Sequence, residues 1–198
     1  MDELKKYRLL PTDKKTPDGK PLYRIEAVIS FGAVRKGEKG GFIGRAENLS
    51  QDGNAWVSSN ARVYGNAKVF GNAWISDNAQ VFGNARVYGD ARVYGDAKVY
   101  GNAWVSSNAR VYGNARVYGN TEISDNAKVY GNAQVFGNAR VYGDTWISDN
   151  AKVYGNARVC FRGKLMTSIN YELTPPLQID TPEKAKRFAS LMRDFAIE

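Results

Sequence analysis

The chain has 198 residues, 28 Lys plus Arg against 20 Asp plus Glu, no His and a net charge of +8. That length suits one domain with short flanks; the missing His excludes His-based general acid–base chemistry, and the single Cys160 excludes an internal disulfide. No apolar run approaches about 18 residues and Met1-Asp2-Glu3-Leu4-Lys5-Lys6 has no signal-peptide arrangement, which predicts a soluble, cytoplasmic protein.

Residues 1–52 contain two expected strands, Tyr7–Leu10 and Leu22–Val28, joined by a loop that turns at Pro17-Asp18-Gly19. They read as an N-terminal β cap. The Gly-rich run Lys36–Gly41 lacks the Lys-Ser/Thr ending of a phosphate loop and reads as a turn.

From Gly53 to Cys160 run eighteen uninterrupted hexapeptides: Gly, Asn or Asp, Ala, a variable residue, Val or Ile, and usually Tyr or Phe. Short-period self-similarity of this kind predicts a solenoid, in which each unit buries its apolar face only against its neighbours. In Gly65-Asn66-Ala67-Lys68-Val69-Phe70, strand alternation sends Ala67 and Val69 inward and Lys68 and Phe70 outward. The Gly-Asn pair makes the corner, both residues tolerating positive φ. Thr121 and Thr145 are the exceptions at the Ala position.

Residues 161–198 read as a linker followed by an amphipathic α-helix. Thr181-Pro182-Glu183 is a helix start, and Phe188, Leu191, Met192 and Phe195 share one helical face. Packing on the last coil or on Leu165–Ile179 is the expected use of that face, with assembly of copies as the alternative.

Read from Val, a unit runs Val-Tyr-Gly-Asn-Ala-Arg, which resembles the signature of left-handed parallel β-helices. The lead-in segments Tyr23–Ala27, Lys36–Ile43 and Glu47–Ser50 also look like those of YdcK-like β-solenoid proteins, found in bacteria and commonly in phages. The resemblance implies an all-β, left-handed parallel β-helix in which three hexads close a triangular coil, giving about six coils over residues 53–160.

On that geometry residues 18 apart stack. One face carries an aromatic column, Tyr64, Phe82, Tyr100, Tyr118, Phe136 and Tyr154, beside Arg62, Gln80, Lys98, Arg116, Gln134 and Lys152. A second stacks Trp56, Trp74, Arg92, Arg110, Lys128 and Trp146, and a third Lys68, Arg86, Trp104, Glu122, Arg140 and Arg158. All four Trp are followed by Ser at the sixth position and by Ser or Asp where Gly is usual. A wide indole displacing a Tyr accounts for this, and Trp at binding hot spots is the alternative. The candidate binding residues are the six rings, Arg62, Lys98, Arg116 and Lys152, with Trp56 and Trp74. No catalytic residue, metal ligand or cofactor is expected.

The aromatic column is a larger apolar strip than a soluble monomer leaves bare, so a cover is expected. Self-association as a trimer or dimer comes first, since resembling helices are often trimers packed through flat faces. The function expected is a non-enzymatic, rigid, oligomeric scaffold for a protein partner. The phage association implies, by resemblance alone, a host-directed or anti-defence binder in a bacterial or infected cell. Binding of nucleic acid or an anionic small molecule is an alternative, weakened by charge spread as +3, +4 and +1 over residues 1–52, 53–160 and 161–198. Acyltransferase, common among hexapeptide-repeat proteins, lacks its usual His base here, and the three-His zinc site of the carbonic-anhydrase relatives has no ligands.

Overall fold

A computed structural model describes residues 5–165, 169–171, 178–179, 181 and 183–184. Each hexad forms one short strand from its variable and Val or Ile positions, as in Arg62–Val63 and Lys68–Val69. Strands pair in parallel with a register of 18 residues, Arg92 against Arg110 and Val93 against Val111. Three hexads therefore make one coil.

Three sheets result. The first has ten strands: β1 (Tyr7–Leu10), β2 (Tyr23–Ala27) and β3 (Lys39–Ile43), then a parallel stack from Arg62–Val63 to Ile169–Tyr171. The second runs from Trp56–Val57 to Gly163–Leu165 and the third from Lys68–Val69 to Gln178–Ile179, each with seven strands. The expected coil count covered the hexads alone. With the flanking strands the solenoid has about seven turns, because Gly163–Leu165, Ile169–Tyr171 and Gln178–Ile179 add a rung to each sheet where sequence periodicity has stopped.

The core is narrow and repetitive: the Ala and Val or Ile positions of all the hexads are buried, and so are Thr121 and Thr145. Thr145 answers its burial through Oγ1, which accepts the Phe161 N–H at 2.9 Å. The Thr121 hydroxyl has no partner among the described residues.

The corners divide their work between two residues. The first takes positive φ: at Gly119, φ is +82° and an added Cβ would lie 2.7 Å from the Gly137 carbonyl oxygen. Five corners have Ser59, Asp77, Ser107, Asp125 or Asp149 at φ of 55–58° instead. Asp77 and Asp125 accept the N–H of Gly95 and Gly143 in the next coil, each at 2.9 Å. The second corner residue does more than permit a turn. Its carboxamide donates to its counterpart 18 residues on, in an unbroken ladder from Asn66 through Asn84, Asn102, Asn120 and Asn138 to Asn156. Asp can end such a ladder but not extend it, having no N–H to pass on. The ladder Asn54–Asn72 stops accordingly at Asp90, and Asn108–Asn126 at Asp144.

The N-terminal segment closes the solenoid. The N–H groups of alternate residues point into the next coil, Trp56 to the Ala73 carbonyl at 3.0 Å, which leaves first-coil carbonyls facing the open end without donors. Lys6 Nζ donates to Gly53 and Ala55 at 3.3 and 3.0 Å. Phe42 and Gly44 of the β3 region supply N–H groups to Ala61 and Val63, and Asn48 Nδ2 donates to Gly65 and Ala67. Ser50 N–H closes the circuit on Val69. The strands expected at Tyr7–Leu10 and Leu22–Val28 are present, the second one residue shorter at each end. The turn read over Lys36–Gly41 is narrower than expected: it covers Lys36-Gly37, and Lys39 onward is β3, whose Gly40 and Gly41 have no room for a Cβ beside Ile25, Trp56 and Val57.

At the other end Thr181 Oγ1 accepts the Lys184 N–H at 3.2 Å, and the helix expected from there lies almost wholly outside the described residues. The stripe Phe188, Leu191, Met192 and Phe195 lies outside the described residues.

Candidate binding faces

The aromatic column of the first sheet is continuous. Tyr64, Phe82, Tyr100, Tyr118, Phe136 and Tyr154 stack with successive centroids 4.8–5.0 Å apart and planes within 6°. Shorter stacks join Tyr94, Tyr112 and Tyr130 on the second sheet and Phe70 with Tyr88 on the third. This changes the meaning of the strip: inner rings turn their faces to each other and all six are half-buried, so much of the apolar area expected to need a cover is already covered within the chain. Burial raises the phenol pKa of Tyr64, Tyr100 and Tyr112, with Tyr118 adding to the rise at Tyr100 and Tyr94 and Tyr130 at Tyr112.

Arg62 and Lys98 are half-buried and Arg116 and Lys152 exposed on the same face. None of the four is ion-paired among the described residues. Lys98 and Arg116 are direct neighbours across rungs. A cleft of about 550 Å³ lies at the foot of the column, between the N-terminal loop and the first coil, lined by Thr16, Asp18, Lys20, Arg45, Tyr64 and Asn66. Within it Thr16 and Lys20 hold the Asp18 carboxyl down at about 2.

The two indoles expected to be contact residues are not equivalent to the others. Trp56 is fully buried under the cap, with Tyr7 and Phe31 edge-on to its rings, and cannot meet a partner. Trp74, its rung neighbour, is half-buried against the core. Trp104 and Trp146, which sequence reasoning left out of the site, are the exposed ones at 41 and 40%. A cation from the preceding rung sits over each: Arg86 at 5.3 Å and Lys128 at 4.3 Å from the ring centroid. The signal available in sequence was positional: Trp56 alone among the four lies in the first hexad, next to the N-terminal segment that departs from the hexad rule.

Five stretches, residues 61–78, 79–95, 91–107, 109–121 and 133–149, match the family model described as the YdcK β-solenoid repeat. No curated protein matches the chain. No helix among the described residues is long and apolar enough to cross a membrane.

Proposed function

The hexad region is a YdcK-type β-solenoid repeat array, and from that premise we propose that the protein is a rigid, non-enzymatic scaffold that binds a macromolecular partner across its first sheet. One observation supports this reading above the rest. Among the described residues Arg62, Lys98, Arg116 and Lys152 have no ionic partners, and they stand on an uninterrupted face beside a row of ring edges carrying the hydroxyls of Tyr64, Tyr100, Tyr118 and Tyr154. Ordered strands hold these groups at fixed intervals, so binding costs little backbone ordering. An acidic protein surface complements them. The narrower reading, a homo-oligomeric, phage-encoded, host-directed or anti-defence binder working by occlusion, rests on family resemblance.

Nucleic acid is the second reading, favoured by the juxtaposition of cations and tyrosines and opposed by Asp96 at the edge of the same face. Size-exclusion chromatography with light scattering, read at 260 and 280 nm, separates the two. A discrete complex free of nucleic acid is expected, together with its loss in the chain carrying Lys98→Glu and Arg116→Glu. Nucleic acid that co-elutes and is stripped by salt would replace the protein reading, and an unchanged complex after charge reversal would remove the first sheet from the function.

A further inference from the structure

The two exposed indoles belong to one construction used twice. Trp104 lines a pocket of about 280 Å³ with Asn102, Asn120, Thr121, Glu122 and Arg140. Trp146 lines one of about 440 Å³ with Asn126, Lys128, Asp144, Arg162, Gly163 and Lys164. A shift of 42 residues, seven hexads, carries residues 102, 104, 120, 121 and 122 onto 144, 146, 162, 163 and 164. The same shift carries Arg86, the cation over the first indole, onto Lys128, the cation over the second. Two pockets on different sheets therefore share their solenoid positions, their aromatic residue and the cation behind it. The Trp104 pocket extends to the following rungs through Glu122 and Arg140, away from Arg86, whereas the Trp146 pocket spans both neighbouring rungs, with Asn126 and Lys128 before the indole and Arg162, Gly163 and Lys164 after it.

We propose that these are two equivalent carbohydrate-binding sites, each stacking one pyranose ring of a glycan on the open side of Trp104 or Trp146. A pyranose has an apolar C–H face that suits an indole and a rim of hydroxyls that both donate and accept. Each pocket supplies both halves of that rim. At Trp104, Glu122 accepts while Arg140, 3.5 Å from it, and the carboxamide of Asn120 donate. At Trp146, Asp144 accepts while Arg162, 3.8 Å from it, donates, as does Lys164, whose ammonium also pairs with Asp149 at 3.1 Å. Other ligands fit less well. A cationic ligand would meet an indole already carrying a cation, and a phosphate would meet the carboxylate in each pocket. An apolar peptide would leave the ion pairs buried and unanswered. These sites lie on the second and third sheets and do not depend on the first-sheet reading above.

The test is isothermal titration of the full chain with maltotriose, chitotriose, a β-galactoside trisaccharide and trigalacturonate, with tryptophan emission followed in parallel. Saturable binding of one of these at about two sites per chain is expected, with a change in emission. Trp104→Arg and Trp146→Arg should each remove one site, and the double variant should lose affinity at least tenfold. Arg is chosen because eleven hexads already carry Lys or Arg at this position, and circular dichroism checks that the coil persists. Failure of all four sugars to bind at tens of millimolar, binding unchanged in the double variant, or Trp-dependent binding of a single-stranded oligonucleotide instead would each overturn the assignment.

Discussion

Trp56 and Trp104 occupy the same position of identical hexads, Gly-Asn-Ala-Trp-Val-Ser, yet one is fully buried and the other 41% exposed. The difference lies in what occupies the preceding rung. At the capped end that rung is the non-repetitive N-terminal segment, which brings Tyr7, Phe31 and Gly40 against the indole. In the middle of the solenoid it is another hexad, whose Arg86 covers one side only. In a structure where each coil touches its neighbours alone, a residue's role is set by the rungs on either side of it.

The largest effect should come from breaking this pair directly. Trp56→Ala removes a buried indole and should cost about 3–5 kcal/mol in denaturant unfolding, whereas Trp104→Ala should stay within about 1 kcal/mol. Equal losses would mean that the cap does not set the difference.

Glycines sharpen the same contrast. Gly19, at φ +81° in the N-terminal loop, has open space where a Cβ would go, while Gly119, at φ +82°, has the Gly137 backbone there. Both Ala substitutions meet the backbone penalty of roughly 1–2 kcal/mol for leaving glycine in the left-handed region. Gly119→Ala should exceed Gly19→Ala by a further amount of roughly 1–3 kcal/mol of overpacking, measured as the difference in unfolding midpoints.

Titration acts with both signs at the cap, where burial pushes the Tyr7 phenol up and the Lys6 amine down, and with one sign in the ring columns. At the cap, burial lowers Lys6 to about 8 from 10.5. Between those values the unfolded chain holds the proton more tightly than the folded one, so Lys6 makes stability rise with pH. In the ring columns, Tyr100 and Tyr112 have raised values, so the stability they contribute is full below the ordinary value of 10 and is lost as pH climbs through the folded values. Thermal unfolding from pH 8 to 11.5 should show both trends. Lys6→Met should flatten the rise, and Tyr100→Phe with Tyr112→Phe should soften the fall.

The smallest effect is in the corner ladders. Asn138→Asp can still accept from Asn120 but cannot donate to Asn156, and should cost about 0.5–1.5 kcal/mol. The same Asn→Asp change at Asn156, which accepts from Asn138, should cost less, since the described ladder ends there. A thermal melt resolves the two.

The stacking repeat was legible because its cause is local and repeated eighteen times. Ala67 and Val69 face inward because strands alternate, and Gly65 turns the corner because its φ is +67°. The 18-residue columns followed once three hexads were taken per coil, and the parallel register bears them out. The uses of outward residues were not legible to the same degree. Asn66 reads in sequence as a turn-former, and its part in a ladder needs Asn84 to stand directly beside it. Tyr100 reads as an exposed ring, and it is half-buried because Phe82 and Tyr118 lie on its faces.

By itself, then, the sequence determined the inward and outward sides of every hexad, since these follow from a spacing written along the chain, and its repeats carry the likeness to the YdcK β-solenoid repeat. Tertiary structure alone decided the extra rung after Cys160, the Lys6 and Asn48 seals on the first coil, and which indoles face solvent. Those outcomes depend on contacts between segments with no shared period, as when Lys6 reaches Ala55, and no spacing along the chain encodes them.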